Sequence, residues 1–281
     1  MLKDPAGKIY GVLGYPVKHS LSPAMHNAAF KGMEIPAEYR LFEIPPQGLD
    51  EFFASLRENN IFGLNVTIPY KEKVIAYLDK LSESAVLIGA VNTVKVSAQG
   101  LEGFNTDAEG FLKHLTEDLR FNPAGKNIVI IGAGGASRAI AVSLAQAKPN
   151  RLNIYDVDVT KLLNLADSLR ANFKTLTIHP ARSIAELKIK DCDLLINATP
   201  VGMKTADPCL VDADLMHEGL LVYDLIYNPK QTSLLKTAKE KGAKISNGLG
   251  MLLYQGMSSF QIWTGKTPPK EIMQKALEAA L

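Results

Sequence analysis

Apolar positions in this chain fall into short runs separated by longer mixed stretches. KIYGVLG (8–14), EYRLFEI (38–44) and FGLNVTI (62–68) have the length and the β-branched or aromatic content of strands. Residues 23–32, 46–59 and 71–80 read as helices. The alternation continues with a helix from Asp107 to Leu119 and a strand–turn–helix unit over 126–147. A strand follows at 152–155, a helix at 159–171, and strands near 175–178, at 193–197 and at 220–224. Residues 247–269 form a last helix with a Gly-rich entry. This order predicts an α/β protein with mainly parallel sheets. The clearest division lies near GFNTDAEGF (103–111), and the units beyond it have the order of a doubly wound nucleotide-binding domain. The last helix could return to the first domain; periodicity alone leaves this open. There is no internal repeat and no low-complexity tract.

Composition narrows the classes. At 281 residues the chain is long enough for two domains, each with its own core. Hydrophobic content of 47% and charged content of 21% are ordinary for a globular protein. A formal net charge of +2, with no dense Lys/Arg patch, argues against nucleic acid as a partner. MLKDPAGKIYGVLG lacks the apolar core of a signal peptide, and no window has the apolar length of a membrane span. Cys192 and Cys209 have neither metal-ligand spacing nor the look of a disulfide framework, so both are expected as reduced thiols in a cytoplasmic protein without a bound metal.

The most specific local pattern is IVIIGAGGASRA. Four apolar residues precede Gly132-Ala133-Gly134-Gly135-Ala136, and an Ala-rich helix follows. Gly132 allows a tight turn, Gly134 lets a diphosphate approach the backbone, and the helix N-terminus faces that anion. The third glycine of the G-x-G-x-x-G pattern is replaced by Ser137. About twenty residues on, the strand RLNIYDVD ends at Asp156, where a carboxylate would accept hydrogen bonds from an adenosine ribose. The plain alternative is a residue that caps the next helix or sits in solvent.

Two earlier stretches carry candidate chemistry. In HSLSPAMHN (19–27), Ser20 and Ser22 point the same way if extended, beside a helix N-terminus opened by Pro23; two hydroxyls there suit a carboxylate. The alternative is that Ser22 caps the helix and Ser20 is loop. In NVTIPYK (65–71), Lys71 is expected in the first turn of a helix, where the dipole and partial desolvation would lower its pKa toward a useful acid/base value. Asp107 stands at another helix start. If the two meet, they can orient a hydroxyl and move its proton; spacing cannot show that they touch.

Taken together, HSLSPAMHN, NVTIPYK, GAVNTV, GFNTDAEG, GAGGASRA, NATPVGM, DLIYNP and NGLGMLLYQ resemble the ordered motifs of shikimate dehydrogenases, over about residues 9 to 265. The resemblance implies a discontinuous α/β substrate domain (1–107 plus 248–281) and a Rossmann-like domain (108–247). It implies reversible, nicotinamide-dependent reduction of 3-dehydroshikimate to shikimate, a step of chorismate and aromatic amino-acid biosynthesis. By resemblance, Ser20 and Ser22 bind the substrate carboxylate. Thr67, Asn92, Asp107 and Gln255 hold ring hydroxyls, and Tyr227 is a further contact. Lys71 is the catalytic lysine, with Asp107 beside it. Gly132 to Ala136 match the diphosphate turn, while Asn197, Thr199, Met203, Leu225 and Gly248 match positions on the nicotinamide side.

One departure bears on the cofactor. NADP-using members carry Asn-Arg-Thr where this chain has Asp156, Val157 and Asp158. Two carboxylates in place of the clamping Arg predict a preference for NAD, with Lys161 nearby keeping NADP possible. NAD use also raises quinate as a minor substrate. A dehydrogenase for an aminoshikimate-type substrate and a catalytically silent shikimate sensor are the competing readings, and a monomer or homodimer is expected.

Overall fold

The structure, a computed structural model, describes residues 7–281; the start of the N-terminal stretch read above for a signal peptide lies outside them. The chain divides into two compact units. Residues up to 110 together with 252–281 form the first, and residues 111–251 form the second.

The elements of the first unit are β1 (Lys8–Gly14), α1 (Ser22–Gly32), β2 (Ala37–Glu43), α2 (Leu49–Ala54), β3 (Ile61–Val66), β4 (Lys80–Leu81), α3 (Glu83–Ile88), β5 (Thr93–Ser97) and β6 (Gly100–Phe104). Helix α4 (Asp107–Lys113) carries the chain into the second unit. There follow β7 (Asn127–Ile131), α5 (Gly135–Gln146), β8 (Arg151–Tyr155), α6 (Val159–Asn172), β9 (Thr177–Pro180), β10 (Leu194–Asn197), β11 (Leu221–Asp224), α7 (Ser233–Glu240) and β12 (Lys244–Ser246). Helix α8 (Leu249–Thr264) returns the chain to the first unit, which α9 (Lys270–Ala280) completes.

The first unit holds a six-stranded sheet of order β2-β1-β3-β5-β6-β4. β1 is parallel to β2 and β3, but β5 is antiparallel to both β3 and β6. The expectation of mainly parallel sheets therefore holds, with β5 as the one strand that runs against its neighbours, since β4 pairs parallel with β6. A tight hairpin needs only a two-residue turn, and Ala98-Gln99 joins β5 to β6 without a crossover helix. Leu13, Leu64, Val66 and Val94 pack with Phe52, Phe53 and Tyr70 in its core. The second unit holds a sheet of order β12-β11-β10-β7-β8-β9, all parallel, the doubly wound arrangement. Its central strands are continuous apolar runs, as a sheet covered on both faces requires.

Strand order decides where ligands can sit. β1 leads to β2 on one side while β3 pairs on the other, so the strand order reverses between β1 and β3. In the second sheet it reverses between β7 and β10. Crevices open beyond the carboxyl ends of strands at such reversals.

The helix expected over 71–80 is a single 3-10 stretch, Lys73–Tyr77, and the one expected over 46–59 is a 3-10 turn running into six residues of α2. The helix begun at Asp107 changes to π geometry over His114–Asp118. Among the described residues no helix is long and apolar enough to cross a membrane, and no group of three or more His, Cys, Asp and Glu side chains could hold a metal ion.

Candidate active site

In the first unit the candidate residues collect at one edge of the sheet. Ser20 and Ser22 follow the end of β1, and Thr67 and Lys71 follow β3. Because β5 and β6 run antiparallel, Asn92 just before β5 and Asp107 just after β6 reach the same edge, with Thr93 opposite Phe104. Gln255 comes to this edge on α8. Gly110 permits the approach: a Cβ there would stand 2.6 Å from the Gln255 backbone nitrogen.

Lys71 and Asp107, 36 positions apart, meet. Lys71 Nζ lies 2.5 Å from Asp107 Oδ2, with the side chains only 14% and 6% exposed. Asn92 Nδ2 donates to the other carboxylate oxygen at 2.9 Å, while Thr106 Oγ1 (2.9 Å) and Gln255 Oε1 (3.3 Å) share its remaining hydrogen. The Asp107 N–H donates to Asn105 Oδ1 at 3.1 Å, fixing the start of α4. One oxygen is thus held by a cation and one by an amide, and each keeps a lone pair for a hydroxyl. Such a pair can orient a substrate oxygen and exchange a proton with it.

A buried polar network stands behind this pair. Asn92 Oδ1 accepts from the Thr106 N–H (2.7 Å) and the Thr93 hydroxyl (3.0 Å). Ser259 Oγ lies 2.8 Å from Thr93 Oγ1 and accepts from Asn65 Nδ2 at 2.8 Å. Asn65 Oδ1 in turn accepts from the Tyr39 hydroxyl at 2.7 Å. Sequence reading missed Thr93, Asn105, Thr106, Ser259 and Tyr39. The available signal was the repeated Asn-Thr at 92–93 and 105–106, which the antiparallel hairpin places side by side.

Two local expectations need correction. Lys71 is not in a helical turn; it precedes the short 3-10 stretch, which has little dipole to offer, and its fixed partner is the Asp107 carboxylate. Ser22 is not the helix cap: α1 starts at Ser22 with Leu21 in the capping position and no side-chain cap. Instead the Ser22 N–H donates to Ser20 Oγ at 3.3 Å. Ser22 is buried, and its hydroxyl has no partner among the described residues.

In the second unit the glycine turn has the features a dinucleotide needs. Gly132 adopts φ +116°, and a Cβ there would stand 2.8 Å from Ala198 O, at the reversal between β7 and β10. Nothing lies within 4 Å of where a Cβ on Gly134 would point, which leaves room above the first turn of α5. The N–H groups of Gly135 and Ala136 open that turn as donors without intrahelical partners. Ser137, in place of the third glycine, is fully buried and donates its hydroxyl to Gly132 O, tying the turn to the helix. The residues present therefore fit a diphosphate.

The remaining second-unit candidates divide. Asp156 lies beyond β8 and already accepts from Ala133 N–H (2.6 Å) and Asp158 N–H (2.8 Å). Asn197 is wholly buried and saturated: its amide donates to Asp224 Oδ1 and Val201 O, and its oxygen accepts from the Thr199 N–H and hydroxyl. It holds the loop after β10 and presents no polar atom to a ligand, contrary to the expected direct contact. Thr199 is half-buried and Met203 is 57% exposed. Gly248 sits against the Leu225 carbonyl, which a Cβ there would strike. Tyr227 belongs to the second unit.

Residues 12–94 match the shikimate dehydrogenase substrate binding domain, residues 248–278 the shikimate 5'-dehydrogenase C-terminal domain, and residues 128–206 the saccharopine dehydrogenase NADP binding domain. A Methanopyrus kandleri protein named shikimate dehydrogenase (NADP(+)) is 45% identical over 98% of this chain and 96% of its own. The chain belongs to the shikimate dehydrogenase family. Among solved structures, a shikimate dehydrogenase in complex with NADP+ is 39% identical with a TM-score of 0.90, covering 98% of this chain and 99% of that one. The Listeria monocytogenes shikimate 5-dehydrogenase, in complex with shikimate and NAD, is 33% identical with a TM-score of 0.87, covering 99% and 98%. Family membership accounts for the architecture described above, a substrate domain and a Rossmann-like domain in one α/β chain.

Proposed function

We propose that this protein is a shikimate dehydrogenase, reducing 3-dehydroshikimate reversibly to shikimate with a nicotinamide dinucleotide. The observation that carries the reading is the Lys71–Asp107 pair at the carboxyl edge of the first sheet, held from behind by Asn92. When bound, the nicotinamide supplies the hydride to a ketone carbon. The protein's part falls to Lys71, whose ammonium faces the oxygen on which charge builds, stabilises it and donates the proton; in the oxidative direction it takes the proton back. Asp107 keeps that ammonium in position and accepts from a ring hydroxyl, with Thr67, Asn92 and Gln255 binding the others. Ser20 and the unpartnered Ser22 hydroxyl receive the carboxylate, and Tyr227 adds a contact. Gly132 to Ala136 cradle the diphosphate. Thr199, Met203, Leu225 and Gly248 shape the nicotinamide side, and Asn197 positions their loop.

For the cofactor we infer NADP(H). Two findings weigh against the NAD preference expected from Asp156. The Methanopyrus kandleri relative bears NADP(+) in its name. Both Asp156 oxygens already accept backbone N–H groups, so this carboxylate has a structural role without any ribose.

The test is initial rates of nicotinamide reduction by purified protein, with shikimate and with quinate, each with NADP and with NAD. Shikimate turnover with NADP ahead of NAD supports both parts. NAD ahead of NADP restores the ribose argument. Folded protein that binds shikimate without turning it over overturns the enzyme reading in favour of a sensor.

A further inference from the structure

An NADP site requires a cation at the adenosine end, and the loop after β8 offers Asp156, Val157 and Asp158 where an arginine would be expected. Both carboxylates are committed. Asp156 binds two backbone N–H groups; Asp158 caps α6 through the Lys161 N–H and lies 3.4 Å from Lys161 Nζ. The neighbouring strand supplies what this loop lacks. β8 and β9 run parallel in register, from Arg151 beside Thr177 to Ile154 beside Pro180. The Ala181 N–H donates to Ile154 O at 2.8 Å, which extends the register past the end of β9. Arg182 is then level with Asp156, one strand spacing of about 4.8 Å away. Tyr155 and Ala181 pack into the same core cluster, so Asp156 and Arg182, one position on, leave the carboxyl ends of two adjacent strands.

The Arg182 side chain is exposed and has no ion pair among the described residues. Its own N–H donates to Glu186 Oε2 at 2.8 Å. With Arg170, His179 and Lys188 it rims a cavity of about 540 Å³ whose lining includes one carboxylate, Glu186; Arg170 is paired with Asp167. A guanidinium is planar and always charged, and it binds phosphate oxygens through two parallel N–H groups. We propose that Arg182 receives the adenosine 2′-phosphate of NADP, replacing an arginine in the loop after β8, with Lys161 as the second cation.

This rests on the NADP reading above, and the experiment separates the two. Isothermal titration of the full chain would use adenosine 2′,5′-bisphosphate, adenosine 5′-monophosphate, NADP and NAD. Wild type is expected to bind the bisphosphate and NADP more tightly than their counterparts. Arg182→Gln should weaken those two by on the order of tenfold or more, leave the monophosphate and NAD within about twofold, and keep the wild-type melting temperature. Arg182→Lys should recover part of the loss. If wild type discriminates and Arg182→Gln discriminates equally well, Arg182 is not the clamp and the NADP reading stands. Wild type that binds both members of each pair alike overturns the NADP reading and the clamp together. Equal weakening of all four ligands would assign Arg182 a structural role and overturn the proposal.

Discussion

His26 should make the first unit sensitive to acid. It lies in α1, fully buried, with its ring stacked 4.4 Å from Tyr39 and 5.4 Å from the Trp263 ring. Neither ring nitrogen has a hydrogen-bond partner of good geometry. Burial holds the pKa down from the ordinary 6.5 to about 3, with nearby Asn65 offsetting only part of the effect. A lowered histidine pKa means that the fold favours the neutral ring. Its contribution is whole above the unfolded pKa of 6.5 and is lost as pH falls toward the folded value. The full difference is on the order of 5 kcal/mol, and at pH 5 roughly 2 kcal/mol of it is already gone. His26→Leu removes the titration and sacrifices no hydrogen bond. Trp263, the single tryptophan, belongs to the first unit, so urea unfolding followed by its fluorescence reads that unit. Between pH 8 and pH 5 the wild type should lose about 2 kcal/mol more than His26→Leu. Parallel losses in the two proteins would refute the reasoning.

Other perturbations address the site and the second unit. Lys71→Ala should lower kcat by roughly two to four orders of magnitude with shikimate binding largely intact, read by steady-state rates beside equilibrium titration. Asn92→Ala removes a donor to Asp107 and the acceptor for the Thr106 N–H and Thr93 hydroxyl, so unfolding free energy should fall by about 1–3 kcal/mol and kcat should drop more than KM rises. Asp224, buried with its pKa pushed up to about 6, has the opposite sign to His26: its contribution is whole below 3.8 and is lost as pH rises through about 6. Asp224→Asn should flatten that part of the profile. It should also destabilise by about 1–3 kcal/mol: the new amide oxygen can still accept from Asn197 and Ile226, but the N–H₂ that replaces Oδ2 faces the Thr232 hydroxyl, which donates there and already accepts from the Leu235 N–H.

How much of this was legible from sequence depended on the range of the interactions. The central strands of the second sheet were readable, because fully covered parallel strands are unbroken apolar runs such as IVII and LLI. The hairpin of β5 and β6 was missed: GLEGF is partly exposed along most of its length and contains two glycines, so it lacks alternation. β12 has only three residues and α9 follows a break at Pro268-Pro269, and neither was anticipated. At the site, Lys71 and Asp107 were legible as residue types but not as a pair, since an antiparallel reversal brings them together. The reason given for Lys71, a helix dipole, failed because the segment after it is only a five-residue 3-10 stretch. What lies behind the pair was illegible for the same cause. Asn65, Thr93 and Ser259 come from β3, β5 and α8, and Thr106 from the connection between β6 and α4, and each looks like an ordinary polar residue on its own.

Both sheets solve the same problem with different residues. A helix that starts beyond a strand leaves N–H groups unpaired, and either the chain or a ligand must satisfy them. After β8 the chain does so: the Lys161 N–H donates to Asp158 and the Asp158 N–H to Asp156, leaving those N–H groups little to offer an incoming anion. After β7 no side chain caps α5, whose N-cap is Gly134, and the open space above it is left for a diphosphate. After β1 the two serines divide the roles. Ser20 Oγ accepts a backbone N–H, while the Ser22 hydroxyl, on a residue only 4% exposed, stays uncommitted. Capping and binding are therefore competing uses of one set of donors. An uncapped helix start at the carboxyl edge of a strand, next to the reversal of strand order, marks the positions where this fold has reserved those donors for a substrate or cofactor.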